Sequence, residues 1–247
     1  MQKSLYDIMD KDRIFKRSLF DSAADYYNAT RPSYPRGLVN NLIFKTGITA
    51  NSQVLEIGTG TGQLTLELAK RGINLHGIEI GRKLAEITAH RVFPYINATI
   101  ETGDFETMKI DVDSYDLIVF ATSYKWLDPS RRVELISSVL RNNGCVAIIE
   151  THHVNGGTKE FFADSQDCYR LRDNNTKSEY HLPEINDIQP RLYGSEFNGR
   201  FHIQFSRFYQ EEKHILQPII LGCSTLIQMF CSWIRNKGRN FLIVLHV

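Results

Sequence analysis

The stretch "QVLEIGTGTGQLTLELAKRG", Gln53 to Gly72, decides the reading of this 247-residue chain. A short Val/Leu/Ile run reads as a buried strand and carries the acidic Glu56 near its end. Gly58, Gly60 and Gly62 then alternate with threonines, and a leucine-rich helical pattern follows. Glycines there let the backbone turn tightly and approach a ligand without a Cβ in the way. The helix behind them aims its N-terminal amides at the same place. The whole pattern predicts a ligand site at this turn rather than a bare strand–helix joint.

Outward from that turn, residues 51–150 repeat the same unit. The runs "QVLEIG", "INLHGIEI", "NATIETGD", "YDLIVFAT" and "GCVAIIETH" are rich in Val and Ile and continuous rather than alternating. Such runs belong to a parallel sheet covered by helices on both faces. Among the helix candidates, "PSRRVELISSVLRNNG" is the clearest. Asp128 is its expected cap, Pro129 its first residue, Val133, Ile136 and Leu140 its apolar face, and Gly144 its stop. Repeated strand–helix units predict an α/β, doubly wound sheet with right-handed crossovers. Residues 1–50 read as a helical lead-in broken by "NATRPSYPRG", and residues 151–199 as a polar cap after the fifth strand, too long for an ordinary loop.

Two ligands compete for the glycine turn. A dinucleotide would use Glu79, 21 residues after Gly58 at the end of the second strand, to accept both ribose hydroxyls. Its fingerprint wants a glycine at position 63, where Gln63 stands. Glu56 would repel a pyrophosphate, yet it suits a cationic amino-acid head.

With these residues in place, the sequence resembles the class I S-adenosylmethionine-dependent methyltransferases, in a branch acting on small molecules. "LEIGTGTG" is similar to their first motif, "GIEIG" to the end of their second strand and "TGDFET" to their third-strand loop. "YDLIVFATSYKWLDP" and "VLRNNGCVAIIE" follow in the family's order, and "FDSAADYYNATRPSYP" looks like its lead-in. The likeness covers roughly residues 18–210. It implies a Rossmann-like sheet, S-adenosyl-L-methionine as cofactor and a single domain over 1–247. Within that domain, residues 18–150 would form the cofactor-binding core with its lead-in, 151–199 the cap and 200–247 a C-terminal strand with an atypical tail. The cofactor-binding set it implies is Glu56, Gly58, Thr59, Gly60, Gly62, Gln63, Glu79, Ile80, Asp104, Phe105, Ala121 and Thr122. In that set Glu79 holds the ribose, Asp104 meets the adenine amine and Phe105 lies near the ring.

Methyl transfer needs a nucleophile held in line with an already activated methyl group, and water kept out. No universal catalytic triad is required. On the substrate side, Tyr27 and Arg31 of the lead-in could close over the cofactor, against a reading of Arg31 as a surface residue ordering "RPSYP". Tyr124 and Trp126 follow the fourth strand, where such sheets place their ligands; Trp126 reads somewhat better as a packing anchor than as a substrate contact. His152 and His153 follow the fifth strand. His153 and Tyr124 are the two weak candidates for a base. A silent cofactor-binding module and an NAD-dependent dehydrogenase remain as alternatives.

Charge narrows the partners. Lys plus Arg is 29 against 28 for Asp plus Glu, which gives no electrostatic case for nucleic acid or an anionic membrane. Cys145, Cys168, Cys223 and Cys231 form no CxxC pair and no zinc spacing, so no metal is expected. The charged N-terminus lacks a signal-peptide core, and a cytoplasmic enzyme is expected.

The tail departs from this pattern. "ILQPIILGCSTLIQMFCSWI", Ile215–Ile234, is twenty residues without a charge. It reads as a buried helix before a last strand, as a poor membrane span, or as the product of a shifted reading frame. Codons from His214 onward, read two nucleotides later, permit the family's own pattern to reappear. On that reading the family's final strand is absent and the sheet ends in an exposed edge.

Overall fold

The five apolar runs form five strands of one ladder. They are β1 (Gln53–Ile57), β2 (Asn74–Glu79), β3 (Ala98–Thr102), β4 (Tyr115–Ala121) and β5 (Leu140–His153). A computed structural model describes residues 20–22, 24–30, 33–153, 196–197, 201, 203–211 and 239–246. All four pairings, β1 with β2, β1 with β4, β2 with β3 and β4 with β5, are parallel. Val54, Leu55, Leu117 to Phe120 and Val146 to Ile149 have no exposed surface, as their unbroken apolar runs require.

Helices α1 (Ala24–Thr30), α2 (Arg36–Thr46), α3 (Gln63–Ala69), α4 (Arg82–Val92) and α5 (Arg132–Val139) accompany these strands. "RPSYP" breaks the lead-in where the sequence places the break: Pro35 is extended at φ −54° and ψ 136°, and α2 starts behind it. Leu38, Val39 and Leu42 bury one face of α2, and Gly47 ends it in a left-handed conformation at φ 68°.

The chain divides into two compact units. The first holds Met1–Glu150, Arg191–Arg207 and Ile243–Val247; the second holds Thr151–Pro190 and Phe208–Leu242. The strand order is β3-β2-β1-β4-β5-β7-β6, with β6 spanning Ile203–Glu211 and β7 Arg239–His246. Residues 203–207 and 243–246 of these last two strands belong to the first unit. The order reverses between β1 and β4, and a doubly wound sheet opens its ligand crevice beyond the strand ends at that point.

One expectation needs correction. The helix expected through Asn143 stops at Val139, and β5 begins at once with Leu140. Asp128 caps the preceding turn instead, its Oδ1 accepting the Ser130 amide at 2.8 Å, while the amides of Arg131 and Arg132 reach its carbonyl. Leu140 then pairs with Tyr115 and Cys145 with Leu117, so β5 advances five residues where β4 advances two. Asn143, at φ 64°, absorbs the excess. Ladder pairing outcompetes the last turn of a helix whose final residues, "RNNG", offer no apolar face.

The tail ends in a strand, β7, which stands between β5 and β6 in the strand order. "RNFLIVLH" is a β-branched and aromatic run, which suits an open ladder edge whatever its origin. Ile215–Ile234 lies outside the described residues.

Candidate functional site

A cleft of about 870 Å³, its open mouth included, lies at the C-terminal ends of β1, β2 and β4. Its floor is the glycine turn. Gly58, Gly60 and Gly62 have φ of 74°, 59° and 85°, a region that side chains disfavour. At Gly58 there is a second constraint, because a Cβ would stand 2.6 Å from Ser123 Cβ. The Ser123 hydroxyl donates to the Ile57 carbonyl and so fixes the β4 loop against β1. Gly58→Ala is therefore expected to cost more stability than Gly47→Ala, which shares the positive φ but meets nothing within 4 Å. Strain alone is worth about 1–2 kcal/mol, and the difference between the two variants in urea denaturation measures the clash.

The turn is held from behind. Thr88 Oγ1 donates to the Gly60 carbonyl at 2.8 Å, and Arg91 Nη1 donates to the Thr61 carbonyl at 2.8 Å. Glu79 holds it from the side: Oε2 accepts the Gly60 amide at 2.7 Å, and Oε1 accepts the Gly81 amide at 2.9 Å. Glu79 is buried and borders the cleft.

Glu56 is the exception to good pairing. It is 1 % exposed, and neither carboxylate oxygen finds a hydrogen-bond partner among the described residues. Burial drives its pKa from 4.5 to about 8; the nearby Thr65 hydroxyl opposes the rise, and the charge of Glu79 adds to it. Thr65 Oγ1 itself lies outside hydrogen-bonding geometry. Glu56 does not itself line the cleft: it is buried one residue before Ile57, which does, and a carboxyl group buried in this way is held neutral unless a cation reaches it.

Aromatic rings from two segments border the mouth. Phe20 and Tyr27 meet edge to face at 5.8 Å, and Phe20 meets Trp126 at 5.7 Å. Tyr27 stands over the turn, with Cε1 3.5 Å from where a Gly60 Cβ would be. Lys125 Nζ lies 5.2 Å from the centroid of the Trp126 ring.

Of the residues named from sequence, the cleft brings together Tyr27, Gly58, Gly60, Glu79, Ile80, Phe105, Ala121, Thr122 and Trp126. Others lie behind the wall. Thr59 is buried, with its methyl group 2.6 Å from where a Gly77 Cβ would stand, and Gln63 donates to Thr61 Oγ1 at 2.6 Å. Gly62 packs against Thr88. Asp104 Oδ1 accepts the Glu106 amide at 3.1 Å and shapes the turn that presents Phe105.

Tyr124 is not at the mouth. It is 2 % exposed, its hydroxyl donates to Glu196 Oε1 at 2.7 Å, and Phe120 and Phe197 flank its ring. Arg132 covers the ring face at 4.2 Å and also pairs with Glu196. This network makes Tyr124 a packing anchor rather than a base. His152 and His153 end β5, but their side chains lie outside the described residues, as does Arg31.

Sequence reading missed Phe20, Ser123 and Lys125. Phe20, Ala24 and Tyr27 share helical spacing, which could have revealed the first. Ser123 gave no signal, because its role depends on a Cβ that Gly58 lacks.

A reversing parallel sheet with a glycine turn after β1 and an acid ending β2 defines a nucleoside-binding α/β domain. Residues 54–144 match the methyltransferase domain family model. An uncharacterized methyltransferase of Mycobacterium bovis is 29% identical over 130 residues, covering 53% of this chain and 51% of its own length. A probable S-adenosylmethionine-dependent methyltransferase of Saccharomyces cerevisiae is 29% identical over 137 residues, covering 52% of this chain and 44% of its own. An S-adenosylmethionine-dependent methyltransferase structure from Aquifex aeolicus shares the fold at TM-score 0.53 and 12% identity, over 92% of this chain and 98% of that one. Residues 54–144 thus carry a methyltransferase domain, similar to those of S-adenosylmethionine-dependent methyltransferases. The chain spans about half the length of the M. bovis relative, at 51%. Among the described residues no helix is long and apolar enough to cross a membrane, and no cluster of three acidic, His or Cys side chains could hold a metal.

Proposed function

We propose that the cleft holds S-adenosylmethionine and that the protein transfers its methyl group to a small-molecule acceptor by in-line displacement. The observation that carries this reading is Glu56, a buried carboxyl group with no hydrogen-bond partner among the described residues, two positions before the glycine turn. Ionised by a cation that reaches it, it suits the cationic amino-acid end of that cofactor; a pyrophosphate would gain nothing from it. The bound cofactor supplies a methyl group already activated on sulfur.

The chain's own residues bind and exclude. Glu79 offers lone pairs to ribose hydroxyls, and Ile80 and Phe105 give apolar surface to the base. Gly58 and Gly60 let the backbone come close. Phe20, Tyr27 and Trp126 narrow the mouth and keep water from the reacting atoms. A near-neutral chain and a cleft walled by aromatic rings support a small, partly apolar acceptor over nucleic acid or membrane. A cytoplasmic location belongs to the same proposal, and cell fractionation checks it.

Isothermal titration tests the cofactor. S-adenosylmethionine and S-adenosylhomocysteine are expected to bind and to be indifferent to excess NAD; NAD binding in their place would overturn the assignment. A screen of metabolite mixtures for methyl transfer tests the acceptor. Turnover on tRNA or DNA alone would remove the small-molecule reading, and binding with no turnover on any substrate would make the protein a silent module.

A further inference from the structure

The helix behind the ribose-binding acid has no cap of its own. At its N-terminus stands Gly81, which offers no side-chain hydrogen bond. The cap arrives from sixty residues upstream: Asp21 Oδ1 accepts the amides of Lys83 at 2.7 Å and Leu84 at 3.2 Å. Asp21 fits because position 81 is a glycine, whose Cβ would stand 2.8 Å from that oxygen. Its neighbour Phe20 is the ring that joins Tyr27 to Trp126 at the cleft mouth.

The same helix, α4, touches the ligand machinery at three other points. The Gly81 amide reaches Glu79, Thr88 holds the Gly60 carbonyl and Arg91 holds the Thr61 carbonyl. A single carboxylate thus ties the aromatic wall to the element that orients both the glycine turn and Glu79.

We propose that Asp21 is a positioning residue that couples the lead-in to the cofactor cleft. Its two hydrogen bonds set the start of α4 and, through Phe20, the wall over the turn. Cofactor affinity then depends on the docking of the lead-in, although Asp21 touches no ligand. This inference rests on the cofactor reading above, but the coupling itself can be tested without any ligand.

The chain has two tryptophans, Trp126 and Trp233. In a Trp233→Phe background the emission comes from Trp126 alone and reports on Phe20 beside it. Asp21→Ala is expected to raise acrylamide quenching of Trp126 and to weaken S-adenosylhomocysteine binding about fivefold to tenfold, the loss of one cap felt at the cleft. Asp21→Asn, which also caps helices, is expected to restore both. Urea denaturation confirms that each variant is folded. A folded Asp21→Ala with parental quenching, or an Asn variant that quenches like Ala, would overturn the proposal. If the parent itself fails to bind S-adenosylhomocysteine, the cofactor reading falls, while the quenching comparison still decides the coupling.

Discussion

Glu56→Gln is expected to unfold at a higher temperature than the parent at pH 8 and to lose most of its affinity for S-adenosylmethionine. Burial holds the Glu56 carboxyl at a pKa of about 8 in the folded chain, against 4.5 when exposed. Between those values the folded state keeps a proton that the unfolded state has released. Stability therefore falls as pH rises through this window, by roughly 1.4 kcal/mol per pH unit for one group. Glutamine is isosteric with the neutral acid and carries no such slope. Parent and variant should melt together near pH 4.5 and separate progressively up to pH 8; parallel curves across that range would sink the idea.

The ligand arm has the opposite sign. A cation beside Glu56 favours its ionised form, so binding near neutral pH expels about one proton, and affinity climbs toward pH 8. Titrations in buffers of different ionisation enthalpy count that proton. The glutamine variant should release none and bind weakly.

The second large effect is expected at Glu79. Glu79→Ala removes the acceptor for the Gly60 and Gly81 amides as well as the proposed ribose contact. Leaving buried polar groups unpaired costs about 1–3 kcal/mol, a drop in cofactor affinity of roughly tenfold to a hundredfold by the same arithmetic. Because Gly81 precedes α4, the variant should also melt earlier than the parent. Unchanged affinity by titration would take Glu79 out of the site. A lower melting temperature with unchanged affinity would leave it a purely structural acid.

The core of this fold was legible because its signals are local. Continuous Val/Ile runs mark the buried strands β1, β2, β4 and β5, while β3, at the sheet edge, is half-buried to exposed; glycines at 58, 60 and 62 permit a turn that other residues resist. The acid at the end of β2 sits at a fixed distance from that turn, so Glu79 could be named before its neighbours were known. The likeness to a family added Phe105 and the walls at Ala121 and Thr122. Direction was harder to read. Thr59 and Gln63 stand in the motif but are buried, and Asp104 shapes the turn between the cleft residues Gly103 and Phe105.

Sequence alone determined the sheet, the glycine turn and the acids at Glu56 and Glu79, since periodicity, backbone permissiveness and charge are written residue by residue. Only the tertiary structure decided that Glu56 has no hydrogen-bond partner among the described residues, that Tyr124 is spent on Glu196 and that Asp21 caps a helix beginning at Arg82. It also decided that Arg239–His246 fills the ladder between β5 and β6. Each of these depends on which distant groups meet, and burial, pairing and cap geometry exist only once the chain has brought them together.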